Sequence, residues 1–361
     1  MWPWAHHLSN ILVRCRAILT SSYAGTLSLH SSHLATDLTF AGHDLSALSV
    51  CYVAHPQGST TQGWIASGGM DRVGRVWQYD LPTAEAALAD APAPLPSTLY
   101  TLNLHQAPIA SVRSRALPLS GASATASPHL LTAGWDGVVG VWDLTPGVNE
   151  GEPTEEGAPK RKRRKQAPGT VIAKTPVSVL TGHVGKVSRA IFDRLDAGIA
   201  YSAGWDHTVR QWDLSVATEA AAKTSDKVLL ALTQMASPNL LATGSTDRLV
   251  SFWDLREATQ AISLQIPGHS APVSSVCAHP TAPLLLASGS YDSTVRIWDA
   301  RSPKQALFTV PLPPKEGEEG AGGEKVLCVD WDGERLVAGG EGARVVSWRV
   351  SASGDKVEAE Q

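Results

Sequence analysis

One short pattern recurs along this chain, and a pattern copied so often constrains the fold more tightly than any single residue. ASGGMDRVGRVWQ, LTAGWDGVVGVWD, YSAGWDHTVRQWD, ATGSTDRLVSFWD and ASGSYDSTVRIWD carry Trp77, Trp142, Trp212, Trp253 and Trp298 at the same place. Two weaker copies flank them, ILTSSYAGTLSLH ending on His30 and LVAGGEGARVVSW ending on Trp348. Trp is ordinarily the rarest aromatic, yet the 361 residues hold 12 Trp against 4 Phe and 6 Tyr, the excess expected when one structural position is copied.

Within each copy an apolar run meets a turn, and an alternating Val/Ile-rich segment leads to the Trp, which reads as strand, tight turn, strand. Another apolar run lies upstream of most copies, such as VSRAIFD and VSSVCAHP, and adds a strand. A repeat of about 45 residues with four strands cannot bury both its faces alone, but several packed radially can. The pattern resembles that of the WD-repeat family. This implies an all-β fold, a seven-bladed WD-repeat β-propeller whose first and seventh blades are degenerate. Length alone, at roughly 150 residues per domain, points to two or three domains; the repeat implies one. The propeller is expected over residues 17–350, with 1–16 as an N-terminal segment and 351–361 as a polar tail.

Each clear copy places Ser or Thr ten residues before the Trp and Asp six before it: Ser67 and Asp71, Thr132 and Asp136, Ser202 and Asp206, Thr243 and Asp247, Ser288 and Asp292. Four histidines lie upstream, His43, His105, His183 and His269, three of them in Gly-His pairs. In the family that the pattern resembles, these types form a buried network from His through Asp and Ser/Thr to the Trp N–H. Such a network is stable only when every member is paired, because a buried unsatisfied group costs about 1–3 kcal/mol.

Ser202, His183 and Asp206 are also the residue types of a hydrolase triad. The same types recur at matching spacing in other copies, whereas a catalytic site has to be built only once, so the structural reading is favoured. No catalytic residue, cofactor or metal site is expected, and GGMDRVG lacks the lysine and helix start of a phosphate-binding loop. Hydrophobic residues make up 43% and charged residues 18%, the composition of a chain with ample core. A net charge of -4 gives no global attraction to nucleic acid or membrane, and no membrane partner is expected. Four cysteines, with none paired at the spacing of zinc or redox motifs, are expected as buried small hydrophobes.

Departures from the pattern carry information too. The first copy has Ala24 for Asp and His30 for Trp, and the seventh has Ala338 and Gly342 at the polar positions. These copies meet at the seam, where WD-repeat rings commonly close with an N-terminal strand completing the last blade. The few residues ahead of ILTSSY leave little for that strand, so a truncated N-terminus is the expectation. TPGVNEGEPTEEGAPKRKRRKQAPGT marks a disordered insertion at about 145–175, KEGEEGAGGEK a second loop at about 313–325, and the Ala- and Pro-rich residues 81–99 a third.

Inside the first insertion, Lys160, Arg161, Lys162, Arg163, Arg164 and Lys165 form an unbroken basic run. It reads as a nuclear localisation signal, with sequence-independent RNA contact or a merely solvated charge run as the alternatives. On the turns, the residue before each Asp is Met70, Trp135, Trp205, Thr246 or Tyr291. An exposed Trp carries a large apolar area into water, and such residues are enriched in binding hot spots, so Trp135 and Trp205 head the partner-binding candidates, with Met70 and Tyr291. Arg72, His207 and Arg248 would supply a polar rim.

The doubled AGWD turn, the YSAGWDHTVRQWD copy, the basic insertion and GHSAPVSSVCAHP together resemble the WD-repeat ribosome-biogenesis factors of the PeBoW complex, the partners of pescadillo and of the block-of-proliferation protein. The resemblance implies a non-enzymatic scaffold in large-subunit assembly and rRNA maturation, docking on the propeller of the block-of-proliferation protein and on pre-ribosomal particles, in nucleolus, nucleus and nucleoplasm. Members of that family carry a ubiquitin-like domain ahead of the propeller, gripped by the ATPase midasin. With the first blade beginning near residue 17 that domain is expected to be lacking, and midasin contact with it. WDLR at Trp253–Arg256 and WDAR at Trp298–Arg301 resemble the short element of cullin-type ubiquitin-ligase substrate receptors, which with a generic nuclear scaffold is the rival reading.

Overall fold

The computed structural model describes residues 8–14, 17–31, 36–53, 62–80, 95–115, 129–151, 171–237, 239–256, 264–302, 304–312, 323–342, 344–350 and 357–360. Every regular element among them is a strand, and the strands form seven sheets. Blade one is β1 (Leu8–Arg14), β2 (Ala17–Ser22), β3 (Thr26–Ser31) and β4 (Thr36–Ala41); blade two is β5 (Ala47–Val53), β6 (Gln62–Gly69), β7 (Gly74–Asp80) and β8 (Ser97–Leu102). Blade three holds β9 (Ile109–Ser114), β10 (His129–Gly134) and β11 (Val138–Asp143). The chain then sends β12 (Ile172–Lys174) to blade two before β13 (Ser178–Thr181) completes blade three. Blade four is β14 (Val187–Phe192), β15 (Ile199–Gly204), β16 (Thr208–Asp213) and β17 (Thr218–Thr224); blade five is β18 (Leu229–Gln234), β19 (Leu240–Ser245), β20 (Leu249–Asp254) and β21 (Leu264–Pro267). Blade six is β22 (Val273–Ala278), β23 (Leu285–Ser290), β24 (Thr294–Asp299) and β25 (Phe308–Pro311). Blade seven is β26 (Val326–Trp331), β27 (Arg335–Gly340), β28 (Val345–Val350) and β29 (Val357–Glu360).

The first strand of each blade packs against the first strands of its two neighbours, β1 against β26 included, so these seven strands line the ring and close it. Each neighbouring pair of blades encloses its own apolar cluster. Trp142, Trp212, Trp253 and Trp298 lie wholly inside them. At roughly 25 cal/mol per Å² over some 150–250 Å² of indole, each contributes about 4–6 kcal/mol of gross burial. The copied Trp is therefore the wedge between sheets. At the seam the described cluster is Ile18, Cys328 and Val337, with Val345 packed on it.

Two expected boundaries are corrected. The propeller starts before residue 17, because β1 is the innermost strand of blade one, and it runs past 350, because β29 pairs with β28 through Ser347 and Glu360. Innermost and outermost strands carry neither the Trp nor the Asp of the pattern, so the repeat does not reveal them. Among the described residues, blade one is β1–β4 and blade seven β26–β29, and no N-terminal strand is exchanged into blade seven.

The insertion at 145–175 is also ordered at its base, contrary to the disorder expected of the whole. β12 pairs in parallel with β8 through Ile172 and Tyr100, and Gly151 N–H donates to the Ala173 carbonyl at 2.8 Å. Lys174 explains this. Its buried ammonium donates to the carbonyls of Thr145 and Val148 at 2.7 and 2.6 Å, lies 3.5 Å from Glu150, and sits 4.6 Å from the Tyr100 ring centroid. Burial pulls the Lys174 pKa down and Glu150 opposes the shift. The central part of the insertion, with the basic run 160–165, lies outside the described residues, as do 81–94 and 313–322 of the other two loops and Cys15.

Candidate interaction face

The turns between the second and third strands share one end of the ring with the loops that lead into each blade. Asp builds each turn: its carboxylate accepts the N–H two residues on, as from Val73 to Asp71 at 3.3 Å and from Thr294 to Asp292 at 3.0 Å. The next residue takes left-handed backbone, with φ of 68° at Arg72, 66° at His207, 72° at Arg248, 67° at Ser293 and 80° at Gly137. The sequence types that tolerate this, Gly and polar residues, follow the Asp in every clear copy.

The expected network is present in four blades. His43 Nδ1 lies 2.9 Å from Asp71 and Nε2 2.8 Å from Ser67, which accepts the Trp77 indole N–H at 2.9 Å. His105, Asp136, Thr132 and Trp142 repeat this at 3.1, 2.8 and 2.9 Å. His183, Asp206, Ser202 and Trp212 do so at 2.8, 2.6 and 2.8 Å, and His269, Asp292, Ser288 and Trp298 at 2.9, 2.7 and 2.7 Å. An indole only donates and a carboxylate only accepts. The hydroxyl must then donate to Nε2 and the ring's Nδ1–H to Asp, which leaves no group orphaned.

Two blades keep only part of it. In blade five Thr243 accepts the Trp253 indole N–H at 2.8 Å, while Asp247 takes the Ser245 hydroxyl, since no His precedes that blade. In blade one His30 stands for Trp, its Nε2 3.1 Å from the Thr20 hydroxyl, so a degenerate copy retains the cross-strand bond.

Burial and partners set the electrostatics. Burial works to raise the carboxyl of Asp71, but the hydrogen bond and charge of His43, with Arg75, prevail and hold it at about 2. Asp206 and Asp292 are likewise lowered against burial by their His and Thr partners. Burial lowers His105 and His183 although their aspartates pull upward, so both imidazoles stay neutral. Each network hydroxyl is wholly buried and shared with an indole, the wrong environment for a nucleophile that must reach substrate. Cys51, Cys277 and Cys328 are free thiols, raised by burial, to about 11 for Cys51 and about 12 for Cys328.

Backbone bonds place the residue before each Asp. Met70, Trp135, Trp205, Thr246 and Tyr291 each donate their N–H to the loop leading into their own blade, to Ser46, Pro108, Lys186, Val228 and Pro272, at 2.8–3.1 Å. Their side chains consequently share the turn end of the ring, with Trp205 46%, Tyr291 38% and Met70 37% exposed and Trp135 half-buried. Tyr23, 38% exposed, takes the same place in blade one; the SSYAG copy aligns it there, but the missing Asp hid it from the motif.

Trp135 and Trp205, from adjacent blades, meet at a residue that sequence reasoning missed. Lys186 Nζ lies 4.1 Å from the Trp135 ring centroid and 4.7 Å from that of Trp205. Only its place three residues after His183, where blades three and six have Pro, could have signalled it. Of the polar rim, Arg72 and Arg248 are exposed and His207 is half-buried, each at the left-handed step of its turn. The arginines of WDLR and WDAR fold back on their own motif: Arg256 Nε donates to Asp254 at 2.9 Å and Arg301 Nε to Asp299 at 3.0 Å.

The WD domain, G-beta repeat, family is matched at residues 35–78, 174–213 and 261–299. The ribosome biogenesis protein YTM1 of Laccaria bicolor is 33% identical over 344 residues, covering 93% of this chain and 72% of that protein. The protein of the same name from Scheffersomyces stipitis is 28% identical over 350 residues, covering 94% and 71%. That of Aspergillus fumigatus is 31% identical over 274 residues, covering 73% and 52%.

Proposed function

We propose a function from one premise: the chain belongs to the WD-repeat family of ribosome biogenesis proteins that includes YTM1. It is a scaffold in ribosome biogenesis, working in the nucleus and nucleolus on assembly of the large subunit and maturation of its rRNA. Similarity running through nearly the whole ring, 94% and 93% of this chain, carries this reading.

Its direct partner is the propeller of the block-of-proliferation protein, and through it pescadillo and large-subunit precursors in the nucleoplasm as well as the nucleolus. The turn face makes that contact, with Trp135 and Trp205 at its centre and Met70, Tyr291, Arg72, His207 and Arg248 around them. Two indoles over a cation, at the end of the ring that also exposes Met70 and Tyr291, supply the large aromatic surface typical of interface hot spots. The basic run 160–165 serves nuclear import, with sequence-independent RNA contact at most.

Pull-down of the full chain with that propeller, repeated with Trp135→Ala and Trp205→Ala, tests the assignment of the face. Loss of binding supports it; unchanged binding moves the interface elsewhere on the ring. Affinity purification decides the wider reading, since recovery of a cullin adaptor in place of pescadillo and large-subunit precursors would overturn it.

A further inference from the structure

We infer that Lys186, held between Trp135 and Trp205, is a receptor for a carboxylate side chain of the protein partner, an Asp or Glu flanked by apolar residues. The inference rests on the turn-face reading above and adds the chemistry that the face recognises. Both rings lie within 5 Å of the ammonium, against about 6 Å for an energetically significant cation–π contact. Their quadrupoles fix its position but leave its N–H donors without an anion.

The surrounding acids are committed elsewhere. Asp206 binds His183 at 2.8 Å and the Val184 N–H at 3.2 Å and lies 3.6 Å from Arg210; Asp136 binds His105 at 3.1 Å and the Gln106 N–H at 2.9 Å. Among the described residues no carboxylate forms an ion pair with Lys186. The comparison within the molecule is Lys325, which faces Tyr291 at 5.9 Å and is neutralised by Glu341 at 3.2 Å. One aromatic-flanked lysine on this face is closed by its own acid and the other is open.

Apolar flanks select the occupant. Val184 is 92% exposed and Trp205 46%, and together they would cover an ion pair from water, where a charge-assisted hydrogen bond is strongest. A nucleic-acid backbone fits less well. It needs several free cations in a row, and the nearest other cation of this blade, Arg210, is already paired with Asp206 at 3.6 Å and with Glu219.

The test measures the affinity of the full chain for the recombinant block-of-proliferation propeller at low and moderate salt. Lys186→Ala is expected to weaken binding by about tenfold or more and Lys186→Glu by about a hundredfold, with Lys186→Arg within about threefold of wild type. Carbodiimide coupling of the wild-type complex is expected to join Lys186 to an Asp or Glu peptide of the partner. If Trp135→Ala or Trp205→Ala abolishes binding while Lys186→Glu does not change it, the face is right and the carboxylate receptor is wrong. If none of these variants matters, both readings fall. If Lys186→Glu spares the protein partner and instead weakens binding of an rRNA fragment, the occupant is a phosphate and the inference is overturned.

Discussion

Replacing Ser288 with Ala removes one oxygen and strands two partners. Ser288 is wholly buried, accepts the Trp298 indole N–H at 2.7 Å and donates to His269 Nε2 at 2.7 Å. Each stranded group costs about 1–3 kcal/mol, so Ser288→Ala should destabilise by about 2–6 kcal/mol. Thr132 and Thr243 fill the same position in blades three and five, so Ser288→Thr keeps both bonds and should cost less than about 1 kcal/mol. Blade five supplies a further control: Thr243→Ala strands only the Trp253 N–H, and its loss should be about half that of Ser288→Ala. Urea unfolding followed by tryptophan fluorescence gives the free energies, and amide exchange along β23 and β24 locates the damage. A Ser288→Ala protein within about 0.5 kcal/mol of wild type, or a Thr variant as damaged as the Ala one, would refute the account of the network.

Further outcomes follow from the same geometry. His105 and His183 have pKa values lowered by burial, so the unfolded chain takes up protons first. Stability should hold above the unfolded imidazole value, near 6.5, and fall as pH drops below it. Asp71, Asp206 and Asp292 are also lowered, so a second loss should begin below about 4 and continue through the folded values, about 2 for Asp71; pH-dependent urea midpoints check both. Lys174→Met should release β12, read as faster amide exchange at Ile172–Lys174 and quicker proteolysis of the insertion. Gly137→Ala puts a Cβ 2.8 Å from the His183 carbonyl at a φ of 80° and should lower the melting temperature, where Arg248→Gly should not. Residues 145–175 fused to a cytoplasmic reporter should carry it into the nucleus, and changing the six basic residues to Ala should leave it outside.

How much of this was legible in the sequence depends on whether a residue's job repeats. Ser67, Thr132, Ser202, Thr243 and Ser288 could be assigned from spacing because each does the same thing in its blade, and their bonds to Trp all span ten residues. β1 and β29 could not be read, since an innermost or outermost strand is specified by packing rather than by a fixed polar residue. Lys174 and Lys186 lay hidden for another reason. One is a charge in a composition that suggests disorder, and the other joins rings 70 residues apart in sequence, from Trp135 to Trp205. Contacts made between blades leave no period behind them, and they are where this chain differs from a generic ring.

Strand order assigns the two prominent surface features to different blades. In each blade the turn after the second strand lies at the Asp end, so the connection from third to fourth strand must lie at the other. The insertion leaves β11 in blade three at that other end, and before β13 it runs as β12 along the edge of blade two, where Lys174 pairs with Leu102 and its ammonium binds back to Thr145 and Val148. Trp135, Lys186 and Trp205 sit at the Asp end of blades three and four. The described root of the basic segment, where Gly151 meets Ala173, therefore lies along the outer edge of blade two beyond β8, whereas the aromatic pair with Lys186 belongs to blades three and four. Strand pairing, more than any single residue, therefore keeps the turn face of blades three and four distinct from the edge of blade two that roots the insertion.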